Sequence, residues 1–162
     1  MQWSDVLSNP LLQNLPFKIE LNEFGKLLMS PASNLHGFIQ GRVAATLWND
    51  MPDGKVITEC SIETSGGVKV ADVVWASTAF MTEFGYDTPY KKAPELCVEI
   101  VSPSNSKKEM KQKTELYLAK GAQEVWVVYE NTNIDIFTHT GKQEQSQFSA
   151  SLVETILQQL RH

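Results

Sequence analysis

Apolar and polar positions alternate, recur at helical spacing and break at turn residues in an order that lays out a mixed α/β chain. Residues 17–22 and 26–30 read as two short strands joined at Asn22-Glu23-Phe24-Gly25, a turn with a glycine free to take positive φ. Ser30-Pro31-Ala32-Ser33-Asn34 supplies turn and capping chemistry ahead of a helix over about 34–50. In that helix Leu35, Phe38, Ile39, Val43, Ala44 and Leu47 recur at the spacing of a face packed on a sheet. Residues 55–64 and 68–75 alternate as strands around Ser65-Gly66-Gly67, which predicts a hairpin. A short helix is expected over 77–84 and a Pro-bounded loop over 85–94. Next come a strand at 95–101, a capped helix at 107–120 closed by Gly121, and a strand at 124–129. Strand, helix, strand at this spacing is a βαβ crossover and implies two parallel strands. A hairpin of 133–138 with 143–148 around Thr140-Gly141 and a helix over 151–161, with Leu152, Ile156 and Leu160 on one stripe, complete the pattern.

The expected fold is therefore α/β, a mixed sheet flanked by helices with its βαβ unit at about 95–129. The 162 residues are expected to form a single domain, with 1–16 an N-terminal extension and 131–162 a closing hairpin and helix. Hydrophobic content of 42% with 20% charged residues suits a globular chain. Apolar runs are strand-length, so no membrane span is expected, and Met1-Gln2-Trp3-Ser4-Asp5 lacks the layout of a secretory signal. Cys60 and Cys97 lack metal-type spacing and read as reduced buried thiols of a cytoplasmic protein.

Two acids stand inside apolar strands. Asp72 interrupts Val70-Ala71-Asp72-Val73-Val74-Trp75, and Glu99 interrupts Leu96-Cys97-Val98-Glu99-Ile100-Val101. A carboxylate there is costly to desolvate unless it is paired or binds a metal. Asp72 could instead be a capping or bulge residue, and Glu99 could be satisfied by an arginine or a backbone donor. Two such acids on neighbouring strands are hard oxygen ligands suited to Mg²⁺ or Mn²⁺. On the helical wheel of 107–120, Lys113 falls between Leu116 and the pair Met110 and Tyr117, on the inward stripe. It can point at the strand end bearing Glu99, or snorkel outward in an i,i+4 pair with Glu109. Asp, Glu and Lys converging would make a phosphodiesterase site with no nucleophilic side chain. Without metal the two acids would repel, so Asp72→Asn is expected to be neutral or stabilising. The net charge of −5 argues mildly against electrostatic grip on nucleic acid, while the basic run 107–113 is one local patch.

The run Ala93 to Asn105 (APELCVEIVSPSN) resembles the signature of the Uma-two (Uma2) family of putative restriction endonucleases. Glu109, Lys113, Tyr117, Gly121 and Glu124-Val125-Trp126-Val127-Val128 continue the likeness. Leu28-Met29-Ser30-Pro31-Ala32-Ser33 with His36-Gly37, and Ala71-Asp72-Val73-Val74, extend it upstream, over about 17–130. That family sits in the PD-(D/E)xK nuclease superfamily, so the resemblance implies a restriction-endonuclease-like mixed sheet and a metal-dependent endonuclease acting on DNA, presumed to work as a homodimer or higher homo-oligomer. It also implies that Asp72 and Glu99 bind Mg²⁺ or Mn²⁺ and that Lys113 assists attack. The usual lysine position, two residues after the second acid, is Val101 here. Gln40 and Glu20 are candidates for a further ligand, and Glu109 stands where the family usually has Asp. His36 matches a recurrent position, with a cap or core-edge role as the plain alternative. Tyr117 reads as packing with its hydroxyl bonded. A nuclease fold kept as a catalytically inactive binding or assembly module is the competing reading. A small phosphate-ester hydrolase is a weaker third.

Overall fold

In the computed structural model, residues 1–131, 133–148, 155, 156 and 158 are described. Helices are α1 (Trp3–Ser8), α2 (Asn34–Asp50), α3 (Thr78–Phe84) and α4 (Lys107–Ala119). Strands are β1 (Phe17–Leu21), β2 (Leu27–Pro31), β3 (Lys55–Thr64), β4 (Gly67–Ala76), β5 (Leu96–Val101), β6 (Glu124–Tyr129), β7 (Ile134–Thr138) and β8 (Gly141–Gln143). β3 to β8 form one six-stranded sheet in sequence order, antiparallel throughout except for the parallel pair β5–β6. That pair and α4 are the expected βαβ unit. β1 and β2 pair only with each other, as a separate antiparallel ribbon.

The sheet is buried on both faces, which is why its central strands read as continuous apolar runs. On one side Ile39, Val43 and Leu47 of α2 pack on Val73, Leu96, Val98, Ile100, Trp126 and Val128. On the other, Phe80 of α3 and Tyr117 of α4 pack on Ala71, Val74, Cys97 and Val125. A third, smaller cluster of Val6, Leu21 and Val68 seats the ribbon and α1. Gly67 makes that seating possible: its φ is +97°, and a Cβ there would run into the backbone of Leu21 and Asn22. Cys60 and Cys97 are buried free thiols, as expected.

One expectation changes and one lies mostly outside the described residues. The last hairpin turns earlier than expected: Thr138 pairs with Gly141, so His139-Thr140 form a two-residue loop and the second strand is 141–143, not 143–148. Gly141, at φ +109°, supplies the left-handed conformation that closes so short a loop. The helix expected over 151–161 lies mostly outside the described residues, although Ile156 is buried in the core. Beyond the hairpin, buried Glu124 accepts hydrogen bonds from Trp126 Nε1 at 2.8 Å, Ser146 Oγ at 2.7 Å and the Gln147 N–H, and so ties residues 146–147 to β6. Among the described residues no helix is long and apolar enough to cross a membrane.

Candidate active site

At one end of the sheet the ladder between β4 and β5 stops at Val73–Val98, and the next residues outward are Asp72 and Glu99. The Asp72 carboxylate takes over where the ladder ends: its Oδ2 accepts the Ile100 N–H at 2.7 Å. Both acids are almost fully buried, at 0% and 2% exposure, so each needs partners. Those partners come from other layers. β1 alternates, and its Lys18 and Glu20 both point inward over the open end of the sheet. Lys18 Nζ lies 3.1 Å from Asp72 Oδ1 and 3.3 Å from Glu99 Oε2. Lys113 Nζ, from α4, lies 2.9 Å from Glu20 Oε1 and 3.7 Å from Glu99 Oε1. The five groups form a row of alternating sign: Asp72, Lys18, Glu99, Lys113, Glu20.

Neutral donors fix the row. The Tyr117 hydroxyl donates to Glu99 Oε1 at 2.6 Å, and the Val70 N–H donates to Glu20 Oε2 at 2.7 Å. His36 Nε2 sits 3.4 Å from Asp72 Oδ2, while its buried Nδ1 has no hydrogen-bond partner among the described residues. Gln40 Nε2 donates to the Asp72 carbonyl at 2.9 Å and to Glu59 Oε1 at 2.8 Å. Glu59 lies opposite Asp72 in the β3–β4 register but breaks the ladder, with φ +53°. A non-glycine residue in that conformation inside a strand is strained, and here the strain sits next to the acids. The row opens on a cavity of about 440 Å³ whose lining includes Leu15, Phe17, Pro31, Ser102 and Asn105.

Burial and charge set the proton affinities. Burial pushes the Glu99 carboxyl up to about 7, against the pull of Lys113 and Lys18. Burial also works on Asp72, but Lys18 and the hydrogen bonds from His36 and the Ile100 N–H hold it well below the usual carboxylate range. Lys18 loses solvation on burial, yet the charges of Glu99 and Asp72 raise it above an ordinary lysine. The hydrogen bond to Asp72 raises His36.

The structure brings Asp72, Glu99 and Lys113 together, with Glu20, Tyr117 and His36 in contact with them and Gln40 at the edge. Glu109 stands apart: its recorded side-chain partner is Asn105 Nδ2 at 3.2 Å. Lys113 does not snorkel to Glu109; it is buried against Glu20 and Glu99. Glu20 gives both oxygens to donors, Lys113 and Val70, so it holds the lysine rather than facing the cavity. Asp72 is not a repelled, unpaired acid: the Lys18 contact removes the premise on which Asp72→Asn was expected to be neutral or stabilising.

Sequence reasoning missed Lys18 and Glu59. Lys18 had a visible signal, since it lies two residues from Glu20 and shares its strand face. Glu59 had none, because a left-handed residue inside an alternating strand leaves no trace in the pattern.

Asp72 Oδ1 and Glu99 Oε2 converge on one point, and two hard oxygens so aimed fit a cation such as Mg²⁺, which commonly takes one or two carboxylates and keeps water. Among the described residues no cluster of three or more His, Cys, Asp or Glu side chains could hold a metal ion. Any ion held here would rest on two carboxylates alone, at the point that the Lys18 ammonium takes in this structure.

The family model described as "Uma2: Putative restriction endonuclease" matches residues 3–161, beyond the span the sequence motifs cover. A crystal structure from Anabaena variabilis ATCC 29413, described as a putative nuclease belonging to DUF820, is similar over 99% of both chains, with a TM-score of 0.69 and 16% identity. At that identity the likeness establishes the fold alone. No curated protein matches the chain.

Proposed function

The chain belongs to the Uma2 family of putative restriction endonucleases, and from that membership we propose that it is a metal-dependent endonuclease hydrolysing phosphodiester bonds of DNA. The observation that carries this reading is the convergence of Asp72 Oδ1 and Glu99 Oε2 on one point beside a buried lysine, Lys113. Asp72 and Glu99 would hold Mg²⁺ or Mn²⁺, which when bound polarises a phosphoryl oxygen and lowers the pKa of a water. The chain's own groups do the rest. The Tyr117 hydroxyl engages Glu99 Oε1 and the Ile100 N–H engages Asp72 Oδ2, so the opposite oxygen of each acid, which Lys18 contacts, is the one an ion would take. Glu20 fixes the Lys113 ammonium beside Glu99, where its positive charge can offset charge building on the phosphoryl group under attack. A homodimer would let two such sites address two strands.

Purified protein with plasmid and Mg²⁺ or Mn²⁺ should nick DNA. Glu99→Gln and Lys113→Met should each lower the rate roughly a hundredfold or more, the scale of losing one group that stabilises transition-state charge. Nicking unchanged by Glu99→Gln would reject the assignment. One observation favours the competing module reading: Lys18 already bridges both acids, as in a purely structural ion-pair network.

A further inference from the structure

The acids that converge at the sheet end carry a cation of their own. Lys18 Nζ stands between Asp72 Oδ1 and Glu99 Oε2, the two oxygens left over once Ile100 N–H and Tyr117 hydroxyl have taken the others. Its side chain is 12% exposed and lines the same cavity as the two acids. An ammonium and a divalent ion cannot share that point, because like charges at such separation repel strongly in a poorly solvated site. The lysine has somewhere to go. Its flexible stem borders a cavity of about 440 Å³, so rotation about side-chain bonds can carry the head outward without moving β1.

We propose that Lys18 is a built-in counter-cation of the Asp72–Glu99 pair, so that a divalent ion enters by exchange with its ammonium and Lys18 sets the metal affinity of the site. This rests on the nuclease reading only for the identity of the two acids as ligands. Lys18 is in this view a positioning residue. It holds the carboxylates together when no ion is bound and releases them when one arrives. Lys113 cannot substitute, since it is held by Glu20 and reaches the other Glu99 oxygen.

The test is Mn²⁺ binding by calorimetry to the wild-type chain, Lys18→Met and Lys18→Arg. Lys18→Met removes the competing charge and keeps most of the stem, so it should bind at least tenfold more tightly than wild type. Lys18→Arg keeps the charge and should not bind more tightly than wild type. Should Lys18→Met fail to fold, amine-directed labelling of the wild-type chain, read by mass spectrometry, gives the same information. Lys18 should label slowly in chelator and several-fold faster in saturating Mn²⁺. Equal affinity of Lys18→Met and wild type, a gain as large in Lys18→Arg, Lys18 labelling indifferent to Mn²⁺, or no Mn²⁺ binding by any of the three proteins would overturn the proposal. DNA cleavage, measured separately, bears on the nuclease reading alone. Tighter Mn²⁺ binding by Lys18→Met without cleavage would sustain the exchange and dismiss the enzyme.

Discussion

Asp72 and Glu99 sit side by side, yet their protons behave in opposite ways. Asp72, held below its ordinary value, contributes stability that is present above the carboxylate range and lost as pH falls through it. Glu99, raised from 4.5 to about 7, contributes stability that is complete below 4.5 and lost as pH rises through about 7. Thermal unfolding should therefore show wild-type stability declining as pH rises from about 4.5 to about 7, and Glu99→Gln should flatten that decline. A slope unchanged by the substitution would mean that another group titrates there. Asp72→Asn should cost about 3–5 kcal/mol in chelated buffer, the range for removing one partner of a buried pair, read by chemical denaturation. A neutral or stabilising result would restore the picture of two mutually repelling acids. At this scale the sequence was partly legible. A charged residue inside an apolar run announces itself, so Asp72, Glu99 and Lys113 could be picked out one by one. Their partners could not, because pairing across layers depends on where β1 lies.

Among the elements, the βαβ unit was legible because a short apolar run gives way to helical spacing between Val101 and Lys107, and a second such run follows Gly121. The ribbon β1–β2 was legible as two strands but not as a body separate from the main sheet, since alternation reports an exposed and a buried face without naming the neighbour. The closing hairpin slipped because Gly141 can serve either inside a turn or, as here, as the first strand residue after it. What fixes the ribbon is Gly67. Gly67→Ala should cost about 1–2 kcal/mol from the left-handed backbone alone, with more from the clash against Leu21 and Asn22. It should also speed amide exchange in β1 selectively over β5 and β6. Equal loss of protection across all three strands would show that the glycine supports the whole fold rather than the ribbon.

For the molecule as a whole, the ion pairing in the site predicts how it behaves without metal. The row from Asp72 to Glu20 is internally paired, so folding does not depend on an added ion. Chelator should leave the melting temperature within about 1 °C of the untreated value, because a ligand stabilises only to the extent that it binds the folded state more tightly than the unfolded one at the concentration present. A drop of many degrees would mean that bound metal is part of the fold. Overall architecture was the most legible level of all, since a sheet buried on both faces and flanked by helices follows from apolar strands alternating with amphipathic helices. Family membership over residues 3–161 is consistent with it.

The separateness of the β1–β2 ribbon has a consequence for how such a site can change. Three of its ionic members, Asp72, Glu99 and Lys113, belong to the main sheet and the crossover helix, while Lys18 and Glu20 arrive on a separate ribbon, tied to the rest by those ion pairs, the Glu20–Val70 hydrogen bond and a small apolar patch. Substitutions in that ribbon can therefore change the charge set against Asp72 and Glu99 while the framework that carries the acids stays as it is.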